Sequence, residues 1–143
     1  MSDRYELRDG TPDVDSYLRL RADSGLTPKS REQAEAGLPG TWRGCHIVDS
    51  SSGEIVGMGR IIGDGGWYFH IVDMAVLPEH QRRGLGDRIM TWLLDTIDAE
   101  SPSGRFVTLM ADPPGRALYA KHGFFEAPER AAGMGLWDGR IRR

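Results

Sequence analysis

Residues 65–99 hold the pattern that most restricts the fold. A β-type run, "GGWYFHIVDMAVLP", is cut off by Pro78, a turn "EHQRRGLG" follows, and a helical pattern begins at once. Proline offers no backbone N–H to a ladder, so the strand stops there. Ile89, Met90, Trp92, Leu93, Leu94 and Ile97 recur at three- and four-residue spacing, which predicts an amphipathic helix over 84–99. A second β-type run, "RFVTLMA", comes next. A strand, a crossover helix and a strand in that order require a parallel pair.

The flanking segments supply the rest of a single sheet. Residues 4–8 read as a short strand. "TPDVDSYLRLRADSG" reads as a helix with Pro12 in its first turn and Gly25 at its end. "TPKSREQAEAGL" reads as a second, short helix starting near Pro28 and closed by Gly37. "TWRGCHIVDS" and "GEIVGMGRIIGD" flank "SSSG" and predict a hairpin. After the parallel pair, "PGRALYAKHG" reads as a helix closed by Gly123, "FFEAP" as the start of a strand, and "GMGLWDGRIRR" as holding one more. The order is β-α-α-β-β-β-α-β-α-β-β: a mixed α/β (α+β) sheet without the repeat of a doubly wound fold.

Length and charge narrow the function. The 143 residues suit one domain, 1–143, with one core. No apolar run approaches the ~18 residues of a membrane span, and the acidic N-terminus lacks the apolar region of a signal peptide. A cytoplasmic, non-membrane protein is expected. The net charge of −3, with no basic tail, argues against general nucleic-acid binding, which rests on phosphate contacts. Cys45 is the sole cysteine, so no internal disulfide forms, and no Cys/His spacing points to a metal. Cys45 and His46 are neighbours in a strand and face opposite ways, so Cys45 reads as a buried cysteine.

"HQRRGLG" sits where a strand turns into a helix. The helix start presents unpaired N–H groups and a partial positive charge, glycines allow close backbone approach, and Arg82, Arg83 and Arg88 add charge. Together they describe an anion site. On spacing alone the same residues also read as an ordinary glycine turn with solvated arginines. A Rossmann fingerprint lacks its third glycine here, and no Gly-Lys-Ser/Thr of a P-loop follows.

Three linked segments resemble the GCN5-related N-acetyltransferases (GNAT). "QRRGLG", Gln81–Gly86, is similar to their Gln/Arg-x-x-Gly-x-Gly/Ala acetyl-CoA signature. "DMAVLPEH" resembles the strand before it, and "ALYAKHGF" the later A-x-Tyr-x-x-x-Gly-Phe segment, with Tyr119, Gly123 and Phe124 matched. The resemblance covers about residues 54–126. It implies the acyl-CoA N-acyltransferase fold: a mixed, mostly antiparallel sheet with a central splayed parallel pair and helices on both faces. It also implies an acetyl-CoA-dependent N-acetyltransferase, an acyltransferase with no metal. The pyrophosphate of coenzyme A would lie on Gln81, Arg82, Arg83, Gly84, Leu85, Gly86, Asp87 and Arg88. The pantetheine arm would run along Met74, Ala75 and Val76, with the Val76 N–H toward the thioester oxygen.

Acetylating an alkylamine requires removal of a proton, since its pKa lies near ~10.4. Strict alternation puts His70, Val72, Met74 and Val76 on one face of the strand and Phe69, Ile71, Asp73 and Ala75 on the other. His70 is the favoured base, through a water, because an imidazole near pKa ~6.5 suits proton transfer at neutral pH. Asp73 is second. Each also reads as structural: His70 bonded to a backbone group, Asp73 at a sheet bulge. The resemblance makes Tyr119 the acid for the departing thiolate. The family's asparagine seven residues before that tyrosine is Asp112 here, followed by Pro113-Pro114-Gly115, and Arg116 is the residue expected to take over part of the coenzyme contact.

For the acceptor, Arg21, Trp42, Tyr68 and Met134 are the chosen contacts, from a set that also includes Tyr17, Arg60, Trp67 and Trp137. Asp23, Asp64 and Asp73 are few carboxylates for a polycation, so a small amine with one amino group is expected. No cysteine is placed for an acyl-enzyme, which implies direct transfer in a ternary complex. Acetylation of a protein N-terminus or lysine, and a non-catalytic acyl-CoA sensor, stay open. Small members of the family often dimerise through C-terminal strands, so a homodimer also stays open.

Overall fold

The computed structural model describes residues 4–126 and 132–135. Five strands form one sheet in chain order: β1 (Tyr5–Asp9), β2 (Arg43–Asp49), β3 (Glu54–Gly63), β4 (Tyr68–Val76) and β5 (Phe106–Leu109). Neighbours pair antiparallel except β4 and β5, which are parallel. Helices α1 (Val14–Asp23) and α2 (Arg31–Gly37) precede β2, α3 (Leu85–Glu100) crosses between β4 and β5, and α4 (Arg116–Lys121) follows β5. The mixed sheet with one parallel pair is the expected architecture. The strand expected at "FFEAP" is absent from residues 124–126, which have no regular structure, and 132–135 have none either. The remaining residues of both expected strands, Trp137 included, lie outside the described residues.

Helix starts follow side-chain chemistry. Asp13 caps α1 by accepting the N–H of Ser16, so Pro12 lies just before the helix and not in its first turn. Ser30 and Gln33 form a reciprocal capping box, which places the start of α2 at Arg31 and leaves Pro28 outside.

Helices cover both faces. α3 buries Leu85, Ile89, Met90, Leu93 and Ile97. It lies over Gly57 and Gly59 of β3: a Cβ on Gly59 would come within 2.6 Å of Ile89 Cγ2 and 3.1 Å of Leu93 Cδ1. The glycines let the helix approach the sheet closely. α1 covers the opposite face through Tyr17 and Leu20, and the sheet contributes Ile47, Val56, Met58, Ile61, Phe69 and Ile71 to the core. Cys45 is fully buried in β2, and burial pushes its thiol up to about 12.

Alternation fails at one point in β4. Met58 pairs with Ala75 and Arg60 with Val72, so the single residue Gly59 faces both Asp73 and Met74. This is a β-bulge, and Asp73 has φ 60. Aspartate is one of the few non-glycine residues that enter this region at modest cost. The bulge exchanges the faces predicted for residues 73–76. The Met74 sulfur lies beside Gly59 on the α3 side, and the Asp73 carboxylate turns to the α1 side, where His70 also lies. Asp73 and His70 therefore share a face, contrary to the alternating reading.

Gly59→Ala should destabilise the fold by roughly 1–3 kcal/mol, the usual cost of overpacking a filled core. Urea denaturation measures this; an unchanged midpoint would show that α3 can retreat without penalty.

Candidate active site

The parallel pairing of β4 with β5 is short. It joins Tyr68, Phe69, His70 and Ile71 to Phe106, Val107, Thr108 and Leu109, and ends there. β4 continues to Val76 with no strand among the described residues on its β5 side. A cavity of about 470 Å³ lies at this divergence, reaching from α1 and α2 across β4 to Tyr119 on α4. That volume is typical of small-molecule sites.

His70 is half-buried in the cavity wall. Its Nδ1 lies 2.7 Å from Thr108 Oγ1, its register partner on β5. Thr108 Oγ1 also donates to the Phe69 carbonyl at 3.4 Å. Nδ1 is thus the ring nitrogen held by the protein. Among the described residues Nε2 has no partner. Burial lowers the His70 pKa, so the ring is neutral at pH 7. Thr108 was not singled out in the sequence; the parallel register is what brings it to His70.

Asp73 accepts from three donors: Tyr17 Oη at 2.9 Å, Arg21 Nη1 at 2.5 Å and Arg60 Nε at 2.5 Å. Its side chain is 5% exposed. Both oxygens are engaged, so Asp73 is built to hold α1 and β3 to the bulge, not to exchange a proton with an acceptor. These contacts match the structural reading of Asp73 at a sheet bulge. Arg21 lies in the cavity wall as expected, fixed by Asp73 and the Thr27 carbonyl.

Tyr119 faces the cavity from the opposite side. Burial first, and the charge of Asp112 second, raise its pKa, so the phenol keeps its proton at neutral pH. Its ring folds back over Gly115: a Cβ there would meet Cε2 at 2.8 Å and Oη at 2.9 Å. Gly115 is thus required for this placement of the tyrosine.

The turn before α3 holds two residues with positive φ. Arg82 has φ 65, and Gly84 caps the helix at φ 78. Gly86 allows α4 to pack on the first turn of α3, since a Cβ would sit 3.3 Å from Leu118 Cδ2. Arg82 and Arg83 are exposed and have no partner among the described residues. Gln81 donates to the Val76 carbonyl at 2.9 Å, tying the turn to the end of β4. Asp87 accepts from His122 Nε2 at 2.6 Å and pairs with Lys121 at 3.4 Å, so its side chain fastens α4 to α3. Arg88 donates from Nη1 to the Tyr5 carbonyl of β1 at 3.1 Å, which draws its guanidinium toward that strand. Arg116 is exposed, with its Nε held by the Ala111 carbonyl.

Three expected acceptor contacts lie elsewhere. Trp42 packs on Phe69 with Arg43 over its ring. Tyr68 stacks between Trp67 and Phe106 in an exposed aromatic row. Met134 is 96% exposed. None of the three lines the cavity, which draws instead on Tyr17, Arg60, Lys29 and Gln33. Asp64, counted as an acceptor carboxylate, caps its own turn by accepting the N–H groups of Gly66, Trp67 and Tyr68. No group of three or more His, Cys, Asp or Glu able to hold a metal occurs among the described residues.

Comparison with known proteins agrees with this architecture. Residues 14–124 match the acetyltransferase (GNAT) family. A probable acetyltransferase from meticillin-resistant Staphylococcus aureus is 37% identical, with 93% of this chain and 98% of that one covered and a TM-score of 0.87. Glucosamine-6-phosphate N-acetyltransferase from Arabidopsis thaliana shares the fold at 16% identity, with 93% and 99% covered and a TM-score of 0.69. The uncharacterized N-acetyltransferase ycf52 of Porphyra purpurea is 33% identical over 86 residues, 60% of this chain and 48% of that protein. The chain thus spans about half the length of the curated relatives it matches.

His70 should titrate below the ordinary 6.5 in an NMR pH series. The folded state then binds this proton less tightly than the unfolded chain, so the stability owed to His70 is complete above about 6.5 and erodes as pH falls through that value. Thr108→Val should lower the midpoint further, because the imidazolium loses an acceptor; an unmoved midpoint would detach Thr108 from His70.

Proposed function

Since the chain belongs to the GNAT family of acetyltransferases, we propose that it transfers an acetyl group from acetyl-CoA to the primary amine of a small molecule, directly in a ternary complex. The observation that carries this reading is the cavity at the β4–β5 divergence, with His70 on one wall and Tyr119 on the other. We take residues 1–143 as one catalytic domain working in the cytoplasm. No helix among the described residues is long and apolar enough to cross a membrane.

The residues present fit coenzyme A. Among the described residues the stretch of β4 from Val72 to Val76 has no strand on its β5 side, which leaves backbone groups for an extended arm beside Met74, Ala75 and Val76. The turn at Gln81–Gly86 offers N–H groups at the head of a 16-residue helix, with the side chains of Arg82 and Arg83 uncommitted. When bound, the coenzyme supplies an activated thioester. Every other task falls to the chain. His70 Nε2 accepts a proton from the incoming ammonium, directly or through water. The Val76 N–H stabilises developing charge on the acyl oxygen, a role commonly worth ~3–4 kcal/mol. Tyr119 Oη donates a proton to the departing sulfur and is reprotonated, directly or through water, by the second proton that the acylated nitrogen releases. Asp73 orients Arg21 and Arg60 and holds the bulge in place.

An open, acidic groove would favour a protein acceptor. The cavity walls instead carry Arg21, Lys29 and Arg60 against Asp73 and Asp112, which favours a small molecule.

Gly84→Glu should abolish the thermal upshift produced by acetyl-CoA, by steric block and charge repulsion. Tyr119→Phe should preserve that upshift and lower kcat. Loss of the upshift in Tyr119→Phe would make the tyrosine a binding group, and unchanged kcat would remove it from proton transfer.

A further inference from the structure

The charges in the cavity are unevenly distributed. Asp112 lies at the Tyr119 end, where its carboxylate acts on the phenol. The part bounded by α1, α2 and β3 holds three cations, Arg21, Arg60 and Lys29, against the single carboxylate of Asp73. Asp73 pairs with both arginines, so one positive charge on this wall is left over even before Lys29 is counted. The side chains of Arg21 and Arg60 are only 13% and 15% exposed, so solvent screens them weakly.

Arg60 is the more available of the two. A guanidinium has five N–H donors. Arg60 uses Nε on Asp73 and one Nη1 hydrogen on Thr41 Oγ1, while Nη2 has no hydrogen-bond partner among the described residues. Nη2 is not sealed off either, since it is absent from the fully buried polar atoms without partners. Arg60 lines the cavity, and its guanidinium is oriented by Asp73 and Thr41 with the two Nη2 hydrogens uncommitted. Lys29 stands exposed on the same side with no ion pair among the described residues. A preset guanidinium edge and an exposed ammonium lining the same cavity match an oxyanion.

We propose that the acceptor is an amine that also carries an anionic group, a carboxylate or a phosphate, received by Arg60 Nη2 and Lys29. This rests on the transferase reading above and sharpens its substrate class. Holding the anion at the α1–α2 end leaves the amino group to face the His70 side of the cavity.

Matched acceptor pairs test it, with thiol release from acetyl-CoA as the readout: α-amino acids against their amides, and phosphorylated amino sugars against the unphosphorylated sugars. The anionic member of at least one pair should be preferred by roughly tenfold or more in kcat/KM, as a charge-assisted hydrogen bond supplies. Which pair responds separates carboxylate from phosphate. Lys29→Gln, an exposed change that spares folding, should raise KM for that acceptor and leave both kcat and KM for acetyl-CoA near their starting values. Arg60→Lys should raise the same KM further. Equal or better turnover of neutral or cationic members overturns this inference and leaves the transferase reading standing. An acetyl-CoA thermal upshift without thiol release from any amine overturns both.

Discussion

The convergence of Tyr17, Arg21 and Arg60 on Asp73 underlies the rest of the molecule. Each donor comes from a different place: two turns of α1 and the middle of β3. The acceptor sits at a bulge in β4, in a backbone conformation few residues tolerate. One carboxylate thereby fixes α1 against the sheet and decides which side chains of β4 face the cavity. Removing it would leave two half-enclosed guanidiniums facing each other with no counter-charge, and such unpaired groups are costly.

The bulge also explains which parts of the site were legible in the sequence. The Gln81–Gly86 turn and α3 were readable because proline, glycine and 3.6-residue periodicity act locally. The faces of β4 were inferred from a period of two, which holds only while pairing is regular. One extra residue opposite Gly59 breaks it, and nothing local in "IVDMAV" marks the place. Thr108 was equally invisible, because its meeting with His70 depends on the register of a parallel pair separated by a whole helix. Arg88 read as part of an anion site from proximity in sequence, whereas its place on the helix turns it toward Tyr5. Trp42 and Tyr68 were chosen as aromatic walls; their size suited packing on Phe69 and on Trp67 and Phe106 equally well.

The two ends of the cavity are supported differently. The α1 side is a charged lattice of arginines around a carboxylate. The α4 side depends on fit: α4 has only six residues and no side-chain cap, and Leu118 against Gly86, together with Asp87 held by His122 and Lys121, gives it its position. Tyr119 inherits its placement from those contacts and from the space left by Gly115.

The buried cysteine has a consequence of its own. The proposed reaction would return a free thiol to its surroundings at every cycle, and that thiol can oxidise to a disulfide able to cap exposed protein thiols. Exchange of that kind needs an accessible thiolate. Cys45 is enclosed in β2, and its proton is held up to about 12. The chain's only sulfhydryl is therefore closed to such exchange.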